Sequence, residues 1–161
     1  MNFAFLSFRF LFMEGHNLLI SFGNKYHQID LSENNLSNAT SLERMSCFKA
    51  LLSLHLRNCK LPSLPWDVVG KSLTSLKVLD APGNCFVEVP MHLLPDSISN
   101  LNLANNNIES LGDDIHLPNL IKLDLQNNKN LVRLPIKLST PRYVCEKIFR
   151  IDLYIEEMRV F

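Results

Sequence analysis

The segment ISNLNLANNNI, from Ile98 to Ile108, carries a pattern that recurs along the chain. Aliphatic side chains occupy its places 1, 4, 6 and 11, and asparagine occupies place 9. Four more copies keep this spacing, namely YHQIDLSENNL from Tyr26, LLSLHLRNCKL from Leu51, LKVLDAPGNCF from Leu76 and LIKLDLQNNKN from Leu120. When Phe is also allowed at the apolar places and Cys at place 9, about 22 of the 25 template positions agree, so the pattern is an internal repeat with a period of 22 or 25 residues.

Places 3 to 5 of each copy alternate in side-chain direction as a β-strand does, with an aliphatic residue at place 4. Stacked copies bury these aliphatic residues in a continuous core and set their strands side by side in a parallel sheet. The residue at place 9 is expected to turn inward and hydrogen-bond backbone groups of its own and the adjacent turn. The predicted structural ladder consists of Asn34, Cys59, Asn84, Asn106 and Asn128.

The residues after place 11 bring the chain back to the next strand. They contain an aliphatic residue followed by proline or glycine, as in LPSLP from Leu61 and FVEVP from Phe86. This composition favours a short extended or 3₁₀ return and excludes a long helix. Because such thin returns take less width than the strands, we expect a modestly curved, right-handed arc.

The period and the internal spacing together resemble those of leucine-rich repeat proteins over roughly residues 26–140. The resemblance implies an α/β solenoid with a parallel sheet on its concave face and short extended or 3₁₀ returns on its convex face. Residues 1–25 are then an N-terminal cap or extension, with residues 18–22 as a strand or buried segment, and 26–140 are five leucine-rich repeats. Residues 141–161 are a degenerate sixth repeat or a C-terminal cap, with Ile151 at place 4; an amphipathic helix over 144–161 is the alternative.

The charge composition excludes several classes of partner. Sixteen basic residues are dispersed among sixteen acidic ones, whereas nucleic-acid affinity rests largely on clustered lysine and arginine. We therefore expect neither nucleic acid nor a membrane as a partner. The four cysteines show no CxxC spacing, so no metal site and no cofactor is predicted.

A cytoplasmic location is expected, because the cysteines do not form the terminal caps common in extracellular repeat proteins. A secreted or extracellular location is the alternative. The apolar start MNFAFLSFRFLFMEG resembles the core of a signal peptide, although it lacks a leading positive charge and contains Arg9. Two consecutive glycosylation sequons begin at Asn35 and Asn38, and they matter only in a secreted chain.

The solvent-facing places of the predicted sheet are the candidate partner-binding site. Place 5 forms a column with three carboxylates and one imidazole, which we interpret as an acidic strip for a lysine or arginine of a partner. Carboxylates on both sides of His55 are expected to favour its protonated form. A solvated face of incidental charge is the alternative. The candidate residues are Gln28, Asp30, Ser53, His55, Arg57, Val78, Asp80, Asn100, Asn102, Lys122 and Asp124.

Apolar residues at solvent-facing places are a second signal of a binding surface, since a solvated face does not need them. They are Leu52, Val78, Pro82 and Ile121. Leu52 and Ile121 alternatively flank the core of the neighbouring repeat. Trp66, on the return side, is either a convex contact anchor or a shield over a gap beneath the longer 25-residue repeat.

No catalytic motif is present: the chain lacks GxSxG, P-loop, HExxH and kinase glycine-loop signatures. We therefore expect a non-catalytic module that binds a partner protein on its concave sheet, as the resemblance implies, in signalling or scaffolding. Two alternatives stay open. The chain is a regulatory leucine-rich repeat fragment of a larger kinase, GTPase or ubiquitin ligase, or it is the ectodomain of an extracellular receptor or adhesion protein.

Overall fold

A computed structural model describes residues 5–7, 27–37, 40–112, 114–131, 137–138 and 149–150. The strands in these segments are β1 (Phe5–Ser7), β2 (Gln28–Asp30), β3 (Ser53–His55), β4 (Val78–Asp80), β5 (Asn100–Asn102), β6 (Asp114–Ile115), β7 (Lys122–Asp124), β8 (Lys137–Leu138) and β9 (Phe149–Arg150). The repeat strands β2, β3, β4, β5 and β7 lie side by side as a parallel sheet. Strands β1 and β9 extend its two ends, and β6 pairs with β8 separately.

The five repeat strands share one register, so equal places of the repeat face each other. The place-4 residues Ile29, Leu54, Leu79, Leu101 and Leu123 are matched across the sheet and are at most 2% exposed. Burying each such side chain contributes about 2 kcal/mol to folding. The predicted parallel sheet is therefore confirmed, and its short returns make the structure compatible with a repeat solenoid.

The returns of the first two repeats are helical. A 3₁₀ helix, Thr40–Cys47, follows β2, and an α-helix, α1 (Trp66–Ser72), follows β3. The buried residues in and after the first helix, Leu42, Met45 and Phe48, recur every three residues, which is the turn length of a 3₁₀ helix. Those of the second, Trp66, Val69 and Leu73, recur at spacings of three and four, which is typical of an α-helix.

The expectation of extended or 3₁₀ returns is wrong for the second repeat, where α1 stands. The 25-residue repeats have three residues more than the others, and their returns are longer helices: eight residues of 3₁₀ helix in the first repeat and seven residues of α-helix, about two turns, in the second. In the 22-residue repeats the returns are a three-residue 3₁₀ helix, Met91–Leu93, and the two-residue strand β6.

The ends of the sheet agree only partly with the expectations for the termini. Strand β1 lies at the N-terminal end, whereas the segment 18–22 lies outside the described residues. At the other end, β9 pairs Phe149 with Leu123, so Phe149 and not Ile151 stands at place 4. An offset of two residues preserves the alternation of a strand, so the hydrophobic pattern alone could not distinguish these registers.

The side chain of Asn84 joins two repeats. Its Nδ2 donates hydrogen bonds to the carbonyl oxygen of Leu56 in the preceding repeat, at 2.8 Å, and to that of Ala81 in its own turn, at 3.0 Å. Its Oδ1 accepts from the backbone N–H groups of Cys59 and Leu61, both at 3.1 Å. One buried amide thus satisfies four backbone groups of the preceding and its own turn.

The same arrangement recurs along the ladder. Asn106 donates to the carbonyl oxygens of Ala81 and Leu103, and Asn128 donates to those of Leu103 and Leu125. Both asparagines are less than 8% exposed. The place-6 carbonyl oxygens of the third and fourth repeats therefore each accept a hydrogen bond from the place-9 side chain of the following repeat.

In the second repeat, the cysteine at place 9 supplies the hydrogen-bond donor that the asparagine Nδ2 supplies in the other repeats. The Cys59 Sγ donates to the carbonyl oxygen of Leu31 at 3.1 Å and to that of Arg57 at 3.4 Å. Burial raises the pKa of the Cys59 thiol, so it keeps the proton that these bonds require.

A left-handed residue stands at place 8 of every repeat. The residues and φ angles are Glu33 (63°), Asn58 (53°), Gly83 (70°), Asn105 (55°) and Asn127 (59°). Glycine and asparagine tolerate this conformation, but a glutamate pays a steric penalty in it. At Gly83 the space is also occupied, because a Cβ atom there would lie 2.0 Å from the Oδ1 of Asn58.

We predict that Asn84→Ala lowers the free energy of unfolding by about 3 kcal/mol, because two carbonyl and two N–H groups lose their partner in a buried place. Asn84→Cys should cost clearly less, since a thiol donates at this place in the second repeat. Urea denaturation of both variants measures the difference. Equal losses would contradict the role of the ladder hydrogen bonds.

We predict that Glu33→Asn raises the free energy of unfolding by about 0.5–1 kcal/mol, because asparagine relieves the left-handed strain. Thermal unfolding by circular dichroism measures this as a higher Tm. The matched control is Glu109→Asn, at an exposed glutamate whose φ is not in the left-handed region. A gain at Glu109 as large as that at Glu33 would refute the explanation.

Candidate binding face of the sheet

The side chains at places 3, 5 and 7 lie on the side of the sheet opposite the core, and we call this surface the sheet face. The place-3 and place-5 residues of β2, β3 and β4 are half-buried, whereas Asn100 and Lys122 at place 3 of β5 and β7 are exposed. All eleven candidate residues lie on this face: Gln28, Asp30, Ser53, His55, Arg57, Val78, Asp80, Asn100, Asn102, Lys122 and Asp124.

Three side chains from neighbouring repeats surround the Asp80 carboxylate. The Nδ1 of His55 lies 3.3 Å from Oδ2, an Arg57 guanidinium nitrogen lies 3.6 Å from the same oxygen, and the Nδ2 of Asn102 donates to Oδ1 at 2.8 Å. On the other side of the imidazole, the Nε2 of Gln28 lies 3.2 Å from the Nε2 of His55. The result is a chain of polar contacts from β2 to β5.

The register places Asp30 and Asp80 on the two sides of His55, as expected, but among the two carboxylates only that of Asp80 contacts the imidazole. The Asp30 Oδ1 accepts the backbone N–H of Ser32 at 2.9 Å, and the neighbour of the imidazole on that side is the Gln28 amide. Each ring nitrogen of His55 thus has a polar side chain within hydrogen-bonding distance.

The surroundings of Asp80 stabilise its charged form. The hydrogen bond with His55, followed by the bond from Asn102 and the charge of Arg57, holds the pKa of Asp80 below its ordinary value, against the opposing effect of burial. The middle carboxylate of the predicted acidic strip is thus already compensated by cationic and amide groups of its own chain.

Proline at place 7 explains why Asp80 alone among the carboxylates turns to its neighbours. In three of the other four repeats the place-5 side chain accepts the N–H of place 7, in the pairs Asp30–Ser32, Asn102–Ala104 and Asp124–Gln126, at 2.9 to 3.2 Å. Pro82 has no N–H to donate. Both oxygens of Asp80 are consequently available to His55, Arg57 and Asn102, and the role of Pro82 follows from its position two residues after the carboxylate.

The four apolar residues predicted at solvent-facing places differ in exposure. Ile121 is 69% exposed and therefore does not flank the core of the neighbouring repeat. Leu52 and Val78 are half-buried, and Pro82 is buried. The exposed Asn100 and Lys122 make the end of the face around β5 and β7 more accessible than the beginning, and the exposed Ile121 lies beside it at place 2.

Trp66 belongs to the core. It begins α1, is 8% exposed, and its ring packs edge-on against Phe86, with the ring centroids 5.6 Å apart and an angle of 67° between the planes. The ring therefore fills space under the longer return, as in the shielding interpretation, and it is not available on the convex surface as a contact anchor.

The described residues contain no cluster of three or more potential metal ligands. No helix in the described part of the chain has the length and hydrophobicity to cross a bilayer.

Cys85, at place 10, is an exposed free thiol, and Cys47 is half-buried with its pKa raised by burial.

No model of a known protein family matches the chain, and no curated protein does so either. The function of the sheet face is therefore inferred from its own geometry.

We predict that Asp80→Asn lowers the free energy of unfolding at neutral pH by about 1 kcal/mol, because the charge-assisted bonds to His55 and Arg57 are lost. The folded-state pKa is depressed, so this stabilisation is present above the unfolded value of about 3.9 and is lost as the pH falls through the folded one. Chemical denaturation at pH 7 and at pH 3 measures the difference. Asp124→Asn, which retains its own turn bond, is the control, and an Asp80→Asn loss unchanged at pH 3 would contradict the prediction.

Proposed function

We propose that this chain is a leucine-rich repeat module without catalytic activity, which binds a partner protein through the sheet face in signalling or scaffolding. Five in-phase copies of the repeat and five parallel strands in one register support this assignment. An array of this kind presents a broad surface whose shape does not depend on the ligand.

The observation that carries the proposal is the polar network across β2 to β5. Gln28, His55, Arg57, Asp80 and Asn102 hold each other through contacts between residues of different repeats. Side chains ordered before association lose less conformational entropy when a partner binds, which favours affinity and specificity. A face that served only for solubility would not require such cross-strand order.

The exposed end of the face supplies groups for contact. Asn100, Ile121 and Lys122 extend into solvent with no intramolecular side-chain bond among the described residues. An exposed aliphatic side chain beside polar groups is the composition from which interface anchors are drawn.

The environment of His55 argues against catalysis. A histidine that acts as a general base needs a free ring nitrogen facing the proton donor. In this chain the Nε2 of His55 faces the Gln28 amide at 3.2 Å, and Nδ1 faces Asp80. Both nitrogens are engaged within the face, which supports a recognition role.

The experiment that tests the proposal compares partner capture by the wild-type chain and by Ile121→Glu/Asn100→Arg. These changes alter the face at Asn100 and the exposed place-2 residue beside it without removing a hydrogen bond of the described residues. We expect partners that bind the wild type in lysate, and directly after purification, to lose at least about tenfold in affinity for the variant, as hot-spot truncations do.

The matched control is Val87→Glu/Glu109→Arg, which makes similar changes at exposed positions on the return side. Circular dichroism and thermal unfolding first establish that both variants fold. A partner that binds the face variant as tightly as the wild type, but loses affinity for the control, would move the binding surface to the return side.

A further inference from the structure

The three carboxylates of the place-5 column are not equivalent. Both oxygens of Asp80 are contacted by side chains of neighbouring repeats. Asp30 and Asp124 each accept one backbone N–H through Oδ1, and their Oδ2 atoms form no bond or ion pair with the described residues. Among the described residues, the central carboxylate is thus contacted through both oxygens, and each outer carboxylate keeps one oxygen without such a contact.

The distance between these two carboxylates selects the geometry of a ligand. Four strand intervals separate β2 from β7, which amounts to about 19 Å at a spacing of about 4.8 Å per strand. An extended segment advances about 3.3 Å per residue, so residues i and i+6 stand about 20 Å apart. Because six is an even number, both side chains point to the same side of the segment.

The groups between the two ends disfavour a continuous run of positive charge. Arg57 is exposed beside the Asp80 network and would repel basic side chains placed over the middle of the face. Lys122 lies at the β7 end, two residues before Asp124, and forms no ion pair with it. Uncharged residues between two basic ones avoid this repulsion.

We propose that the sheet face binds an extended segment of a partner protein that carries two basic side chains six residues apart, separated by uncharged residues. The segment runs across the strands, with one cation at Asp30 and the other at Asp124. This inference rests on the proposed function and specifies the chemistry of the partner at that same face.

The experiment is an NMR titration of the ¹⁵N-labelled full chain with three synthetic nine-residue peptides of equal composition. The first has lysines at positions 2 and 8, the second has adjacent lysines at 2 and 3, and the third has them at 2 and 5, on opposite sides of an extended chain. The intervening residues are threonine and valine. The expected result is an affinity about three- to fivefold higher for the first peptide, lost at high salt.

Two backbone amides report directly on the proposed contacts. The N–H groups of Ser32 and Gln126 donate to the carboxylates of Asp30 and Asp124, so a cation at those carboxylates shifts both resonances. The N–H of Ala104 donates to the neutral side chain of Asn102 and should shift least. Shifts at only one end, or equal affinity for the three peptides, would overturn the two-point arrangement.

Isosteric variants separate charge from structure. Asp30→Asn and Asp124→Asn keep the turn hydrogen bond, as Asn102 does in the fourth repeat, and remove the charge. Each should lower the affinity for the first peptide about three- to fivefold and abolish its advantage over the other two. Asp96→Asn, at an exposed carboxylate on the return side, provides the same charge change as a control.

The register also places Arg150 opposite Asp124 across β7 and β9. If Arg150 compensates Asp124, the Gln126 amide will not respond to the first peptide, and the inference fails at that end. Such a failure leaves the wider proposal standing as long as protein partners still discriminate between the face variant and the return-side control. Loss of that discrimination would overturn the proposed function itself.

Discussion

The buried backbone groups of the turn after each strand are the constraint on which the stacking of repeats depends. Backbone hydrogen bonds between neighbouring turns, such as that from the N–H of Asn58 to the carbonyl oxygen of Pro82, pair only some of these groups, and an unpaired buried polar group costs about 1–3 kcal/mol. The side chain at place 9 supplies the missing partners, and it does so across the junction between repeats, as Asn84 does for Leu56 and Ala81. A repeat can therefore satisfy its predecessor only when it stacks in one register.

That register creates the sheet face. Because every strand is matched place by place with its neighbours, the residues of place 5 form one column across the five repeats. Within this column small local differences have long-range effects. Pro82 lacks the N–H that three other repeats offer to their place-5 side chain, so Asp80 turns to His55, Arg57 and Asn102. One residue without a donor thus links four strands.

The same network makes the middle of the sheet face electrostatically different from its ends, which the number of charged residues alone does not show. In its middle, the negative charge of Asp80 is compensated and its pKa is lowered, chiefly by the hydrogen bond with His55. At its ends, Asp30 and Asp124 use one oxygen for their own turns. Recognition by this face would depend on spacing between charges as well as on their sign, which is a form of specificity that a rigid repeat array provides well.

The sequence by itself determined the parallel sheet, the strand positions in the repeats and the inward place-9 ladder, because each of these follows from spacing within one repeat. It also determined which side chains share the sheet face, since alternation along a strand decides their side. Tertiary structure decided which neighbours those side chains contact, whether the longer returns form α1 or a 3₁₀ helix, and that Trp66 packs on Phe86 in the core. These features depend on contacts between residues of different repeats, about 20 or more positions apart, and a pattern with a two-residue period cannot specify them.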